Sequence, residues 1–103
     1  MCDIDVDRLD AVLREGGVLI DVREPAEYVE GHVPGAKLIP MSQLTSRLGE
    51  LDRKAQVHLI CATGNRSGAM TDVLIARRFK AVNVLGGTKA WIESGRPVEE
   101  GLS

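Results

Sequence analysis

Apolar residues along the chain follow two patterns, one typical of buried strands and one typical of helices. The run 18–22, which is apolar except for one acid, and the largely apolar run 57–60 predict buried strands, as in a parallel sheet. Residues 6–13 instead repeat at helical spacing, with Asp5 as the N-cap and the two glycines at 16–17 ending the pattern. Strands and helices therefore alternate from the first residues onwards.

The same alternation continues through the rest of the chain. The further predicted elements are a strand ending near Ile4, a helix from Glu24-Pro25 to Gly31, a loop over 32–36, a strand at Leu38-Ile39-Pro40, a helix capped by Ser42 and reaching Leu51, a helix from Ser67 to Phe79, a strand over 82–85 and a helix that contains Trp91 and ends at Gly95. Alternating βα units predict an α/β fold with a mostly parallel central sheet flanked by helices. In such sheets, sites form where the carboxyl ends of strands meet helix N-termini.

The composition supports a globular core and excludes several classes of function. A length of 103 residues fits a single domain over 1–103, and a hydrophobic fraction of 44% is enough for a core. With one Phe, one Tyr and one Trp, that core must be largely aliphatic. A net charge of −2 and so few aromatic residues argue against nucleic acid as a partner. No apolar run reaches membrane-spanning length, so no membrane partner is expected.

The N-terminal sequence and the cysteine count indicate an internal compartment. The first ten residues are acidic and lack the basic segment followed by an apolar segment that marks a secretory signal. The only cysteines are Cys2 and Cys61, which favours free thiols over a disulfide framework. We therefore expect a cytoplasmic protein.

Cys61 follows the strand 57–60 and precedes a glycine-containing loop that opens a helix. Amides at a helix N-terminus have no partners within the helix, so they can point at an anion and lower the pKa of a thiol. Gly64 and Gly68 let the backbone approach closely, and Arg66 adds a fixed positive charge. The loop is predicted to stabilise negative charge on Cys61, as expected of a nucleophile that carries an anionic group. A buried structural cysteine is the alternative interpretation.

Three motifs make the chain resemble the rhodanese-like sulfurtransferase domain. They are Asp21-Val22-Arg23 with Glu27-Tyr28 and Gly31-His32-Val33-Pro34-Gly35-Ala36, then Cys61-Ala62-Thr63-Gly64-Asn65-Arg66-Ser67, then Leu85-Gly86-Gly87 with Ala90-Trp91. The second segment looks like the active-site loop of the family. The order and spacing of the three segments are family-like over nearly the whole chain, so the resemblance implies a small rhodanese-like domain.

The resemblance implies a sulfurtransferase in which Cys61 takes a sulfane sulfur from a donor, becomes a persulfide and hands the sulfur to a thiophilic acceptor. Backbone amides across 62–67 would hold the persulfide, and Arg66 would help to bind an anionic donor such as thiosulfate. The substrate-binding residues that it implies are Ala62, Thr63, Gly64, Asn65, Arg66 and Ser67. Cyanide or a small thiol would be the acceptor, with a protein sulfur acceptor as a further option.

Two other function classes stay open beside sulfur transfer. Some members of the family serve as binding or regulatory modules and have lost the cysteine, so a module that retains Cys61 incidentally is one alternative. Phosphatases and arsenate reductases of similar fold place five residues between cysteine and arginine, whereas four separate Cys61 from Arg66 here. A shorter loop forms a tighter bowl, matched to one sulfur atom rather than to a tetrahedral oxyanion. Ala62 also stands where several thiosulfate-using members carry a basic side chain.

Asp21 and Arg23 are the predicted supports of the site. Asp21 ends a buried strand, so it needs partners to stay ionised. Arg23 is too near in sequence to be presumed its direct partner. Either residue could shape the floor of the site, but the sequence favours a structural network of hydrogen bonds or ion pairs.

The remaining reactive side chains are predicted to have structural roles. Cys2, Cys61, His32 and His58 lack the paired spacing of metal ligands, so neither a metal nor another cofactor is expected. In the rhodanese-like pattern His32 belongs to a turn, whereas His58 lies on a central strand as a hydrogen-bonded histidine. Trp91 is predicted to pack in the core. Cys2 is expected to be a bystander thiol, with resolution of an oxidised Cys61 as the alternative.

Overall fold

The computed structural model of the protein describes residues 3–102. Within these residues, five strands alternate with five helices. The strands are β1 (Asp3–Ile4), β2 (Val18–Asp21), β3 (Lys37–Leu38), β4 (Gln56–Ile60) and β5 (Lys80–Val84). The helices are α1 (Val6–Arg14), α2 (Pro25–Glu30), α3 (Met41–Leu44), α4 (Asn65–Ala76) and α5 (Gly87–Glu93), with a 3₁₀ helix at Thr45–Glu50 between α3 and β4.

The strands form one sheet in the order β1-β5-β4-β2-β3, and every pairing among the described strands is parallel. The predicted α/β fold with a mostly parallel central sheet is therefore confirmed. Asp21 lies opposite Ile60, and Leu59 lies opposite Asn83. Because the strands run in the same direction, the carboxyl ends of β2, β4 and β5 meet at one edge of the sheet, with Cys61 between them.

Alternate residues of the strands pack into two core clusters. One cluster contains Ile20, Val57, Leu59 and Ala81, and the other contains Leu19, Ile60 and Val84. Burial on both faces explains why the central strands are largely apolar. The helices add Leu44, Met70 and Leu74 to the first cluster. They add Leu9, Tyr28 and Trp91 to the second cluster. Trp91 is buried as predicted.

The predicted helix from Ser42 to Leu51 is wrong in its start and in its extent. α3 starts two residues earlier, at Met41, with Pro40 instead of Ser42 in the cap position, and the α-helix ends at Leu44. The hydroxyl of Ser46 donates to the carbonyl of Gln43 at 2.8 Å, a local bond that competes with the helical pattern. The chain therefore tightens into a 3₁₀ helix instead of continuing as an α-helix.

The helix after Cys61 begins and ends earlier than predicted. α4 runs over Asn65–Ala76 instead of from Ser67 to Phe79. Arg78 takes a left-handed φ of 70°, and the N–H of Phe79 donates to the carbonyl of Leu74 at 3.0 Å, which closes the helix end. The turn directs Phe79 into the core, and β5 starts directly after it.

The segment after α5 returns to the end of α2 and to the loop that follows it. The N–H and carbonyl of Glu99 both bond the backbone of His32, each at 2.9 Å, and the N–H of Gly101 donates to Val29. No helix within residues 3–102 is long and apolar enough to cross a membrane.

Candidate active site

Cys61 lies immediately after β4, at the edge where three parallel strands end, and α4 begins four residues later. The turn between them depends on Gly64, whose φ of 103° is in the left-handed region. A side chain there would also approach the backbone N of Gly86 at 3.3 Å. Glycine therefore allows the chain to reverse within a short loop and start a helix beside the thiol.

The sulfur atom of Cys61 is surrounded by hydrogen-bond donors. The N–H of Gly64 donates to Sγ at 3.1 Å, and the hydroxyl of Ser67 lies 3.3 Å from it. Burial of Cys61 raises its pKa, but the hydroxyl of Ser67 and the backbone N–H groups of Ser67, Gly64 and Thr63 outweigh burial, so the pKa is lowered overall. The geometry therefore favours the thiolate, which is the nucleophilic form.

The start of α5 holds the main-chain carbonyls at the beginning of the loop. The N–H and hydroxyl of Thr88 both donate to the carbonyl of Cys61, at 2.9 and 3.1 Å, and the N–H of Lys89 donates to Ala62 at 3.0 Å. A side chain at Gly87 would come within 2.5 Å of the Cys61 carbonyl oxygen. Since these carbonyls bond to α5, they do not oppose a negative charge at Sγ.

Arg66 is paired with Glu27, a residue that the sequence analysis did not include among the site residues. Its two terminal nitrogens donate to the two carboxylate oxygens, each at 2.8 Å. The hydrogen bond to Arg66 lowers the pKa of Glu27 to about 2. The charge of Arg66 is thus matched by a carboxylate, and its predicted role in binding an anionic donor stays a prediction.

The geometry of the other loop residues is simpler. Thr63 and Asn65 are exposed, and Ala62 is half-buried. Ser67 is fully buried and faces Cys61. The structure thus brings Gly64 and Ser67 to the sulfur, whereas substrate contacts by Ala62, Thr63 and Asn65 stay predictions.

Asp21 and Arg23 form a direct buried ion pair. The Nε and Nη2 atoms of Arg23 donate to the carboxylate of Asp21 at 2.9–3.1 Å, and its backbone N–H donates to the same group at 3.0 Å. The expectation that Arg23 is too near to be the partner is therefore wrong, because the chain turns after β2 and the side chain folds back. Arg23 also donates to the carbonyl of Gly31 at 2.9 Å, so the pair belongs to the structural network that the sequence favoured. Its contribution to the site stays a prediction.

Asn83 on β5 is a second residue that the sequence analysis missed. Its Oδ1 accepts a hydrogen bond from the hydroxyl of Ser67 at 2.6 Å, and its Nδ2 donates to the carbonyl of Gly64 at 3.2 Å. The available signal was a polar residue inside a short buried strand, since such a side chain needs partners.

The two histidines have structural contacts. The ring of His32 stacks on Tyr28 with a centroid distance of 3.6 Å, and its Nδ1 bonds the carbonyl of the same residue at 2.8 Å. The Nδ1 of His58 bonds the carbonyl of Val18 at 2.9 Å. No group of three or more potential metal ligands occurs within residues 3–102. Cys2 lies outside the described residues.

Comparison with protein families and curated proteins gave consistent matches. Residues 5–94 match the family model of the rhodanese-like domain. A protein named sulfurtransferase from Allochromatium vinosum is 32% identical over 85 residues, which cover 82% of this chain and 79% of that protein. YrkF of Bacillus subtilis, named as a candidate sulfur carrier, is 35% identical over 74 residues, or 71% of this chain.

The lengths of the relatives differ from that of this chain. The matched segment spans only 40% of YrkF, and it spans 59% of YqhL of the same organism, which is 42% identical over 74 residues. Among solved structures, a rhodanese-related protein from Thermoplasma volcanium has a TM-score of 0.90 and 34% identity, with each chain fully covered. The fold therefore corresponds over its full length to that of a solved relative.

Proposed function

The chain belongs to the rhodanese-like domain family, and we propose that it is a sulfurtransferase whose sulfur is carried on Cys61. Relatives named as a sulfurtransferase and as a candidate sulfur carrier support sulfur transfer in general. The observation that carries the proposal is the set of donors around Sγ, at the tip of β4. These donors stabilise a thiolate first and an attached sulfur anion afterwards.

In the first half-reaction the Cys61 thiolate attacks the outer sulfur of a donor such as thiosulfate. A sulfur–sulfur bond forms to Cys61, and the bond between the outer sulfur and the sulfonate sulfur breaks. Sulfite leaves with the electron pair, so Cys61 becomes a persulfide anion and no external oxidant is needed. The N–H of Gly64 and the other loop amides would stabilise the charge on the persulfide.

In the second half-reaction a thiophilic acceptor removes the outer sulfur. Cyanide would leave as thiocyanate, and a thiolate acceptor would leave as a persulfide; in both cases the electron pair of the breaking bond returns to Cys61 as thiolate. A protein thiol is a further acceptor, which a module of this size could meet at the exposed loop around Thr63 and Asn65. We place the protein in the cytoplasm, because a reducing compartment keeps a catalytic thiol free.

Intact mass spectrometry after incubation with thiosulfate tests the proposal. The wild type and Cys2→Ser, the matched control for the other cysteine, should each gain one sulfur atom that cyanide removes. Cys61→Ser should gain none.

An unmodified wild type, with thiosulfate and also with a polysulfide donor, would contradict the proposal. In that case a binding module that retains Cys61 would be the better description. Sulfur loading of Cys61→Ser equal to that of the wild type would also contradict it, since the carrier would then be another group.

A further inference from the structure

Ser67 has two acceptors within reach but only one hydroxyl proton. Its Oγ lies 2.6 Å from Asn83 Oδ1 and 3.3 Å from Cys61 Sγ. A serine hydroxyl can donate to only one of these atoms at a time. The state of the thiol is therefore linked to the contact between Ser67 and Asn83.

The orientation of the Asn83 amide is fixed by Gly64. Its Nδ2 lies 3.2 Å from the carbonyl of Gly64, which can only accept a hydrogen bond. The opposite orientation would place two oxygens against each other, so Oδ1 faces Ser67 as an acceptor. Asn83 is 6% exposed and Ser67 is fully buried, so water does not replace either contact freely.

We propose that Asn83 is a positioning residue, which acts through the Ser67 proton to decide how readily Cys61 becomes a thiolate. In the thiol form, Cys61 S–H donates to Ser67 Oγ, and the Ser67 hydroxyl donates to Asn83 Oδ1. When Cys61 loses its proton to solvent, the hydroxyl can turn to Sγ, and its bond to Asn83 is then lost. The proposal rests on the proposed function for its purpose, but the proton arrangement itself does not require sulfur transfer.

Asn83 has opposite effects on the two donors of the thiolate. It competes with Sγ for the Ser67 proton, which favours the thiol. It also holds the carbonyl of Gly64, whose N–H donates to Sγ at 3.1 Å, and this contact favours the thiolate by keeping the loop in place. Removal of the Asn83 amide therefore distinguishes two roles. If Asn83 only supports the loop, its removal disfavours the thiolate. If Asn83 also controls the Ser67 proton, its removal favours the thiolate.

The pH dependence of Cys61 alkylation by iodoacetamide tests the proposal, with Cys2→Ser as the background so that a single thiol reacts. Asn83→Leu frees the Ser67 hydroxyl for the thiolate, and the midpoint of the rate profile should fall by about 0.4–1 pH unit, the value of one neutral hydrogen bond. Urea unfolding shows whether Asn83→Leu folds. If it does not, Asn83→Ala takes its place, and the same fall in the midpoint is expected.

The matched control is Asn83→Leu in a protein that lacks the Ser67 hydroxyl. In a Ser67→Ala background, Asn83→Leu should no longer lower the midpoint. A midpoint that rises or stays unchanged in Asn83→Leu with Ser67 present would overturn the proposal, since Asn83 would then act only as a support of the loop. An equal fall in both backgrounds would overturn it as well. Because alkylation reports the thiol alone, failure here is distinguishable from failure of the proposed sulfur transfer.

Discussion

Two guanidinium–carboxylate pairs lie near the carboxyl edge of the sheet, and they differ mainly in exposure. The side chains of Asp21 and Arg23 are 0% and 7% exposed, whereas those of Glu27 and Arg66 are 36% and 38% exposed. In both pairs two guanidinium nitrogens donate to the carboxylate, so this feature of the geometry does not separate them. Removing one partner leaves a buried charge in the first pair and a solvated charge in the second.

The two pairs are therefore expected to have different roles, the buried pair in stability and the exposed pair in the chemistry of the site. The buried pair is predicted to matter for folding, because neither charge can be solvated if its partner is lost. The exposed pair contributes little to stability. The hydrogen bond to Glu27 is the main cause that raises the pKa of Arg66, and the negative charge of the nearby Cys61 adds to it. Charge at the mouth of the site is therefore adjustable at Glu27 without a large effect on the fold.

The largest expected effect is on stability. Asp21→Ala leaves Arg23 charged and buried, and it should lower the free energy of unfolding by about 3–5 kcal/mol in urea titrations. Adding Arg23→Met to Asp21→Ala should restore part of that loss, since the unpaired charge is then gone. A loss below about 1 kcal/mol for Asp21→Ala would mean that water reaches Arg23 and that the two pairs are alike.

A smaller effect is expected on activity with a charged donor. Glu27→Gln leaves Arg66 without a matching negative charge, and it should raise kcat/KM for thiosulfate about fivefold, which corresponds to about 1 kcal/mol at a half-exposed position. Glu30→Gln is the matched control, because it removes the same charge from the exposed end of the same helix. Equal rates for the two variants would show that the charge balance at Arg66 does not govern the thiosulfate reaction.

The smallest effect is the pH dependence of stability from Glu27. Its pKa is lowered from 4.5 to about 2 in the folded protein, so its stabilising contribution is present above about pH 4.5 and is lost as the pH falls through about 2. Solvent screening limits this contribution to less than about 1 kcal/mol. The difference in unfolding free energy between wild type and Glu27→Gln should therefore shrink as the pH falls from about 4.5 towards about 2, and a growing difference would contradict the assignment.

The sequence predicted those features that depend on local patterns. Apolar runs located β2 and β4, and the position of Cys61 after β4 followed from the same pattern. Arg23 was misjudged because the turn that folds its side chain back onto Asp21 leaves no periodic signal. The partners Glu27 and Asn83 lie 39 and 16 residues from the loop residues that they contact, so only the folded sheet brings them together.

The pairing of β1 with β5 has a consequence for how the chain folds. Asp3 lies opposite Asn83, so this part of the sheet cannot form until most of the chain has been synthesised. Pairings between such distant segments close slowly, because the entropy of a long loop is lost before the contacts form. During translation β1 therefore waits for its partner strand longer than any other described strand does.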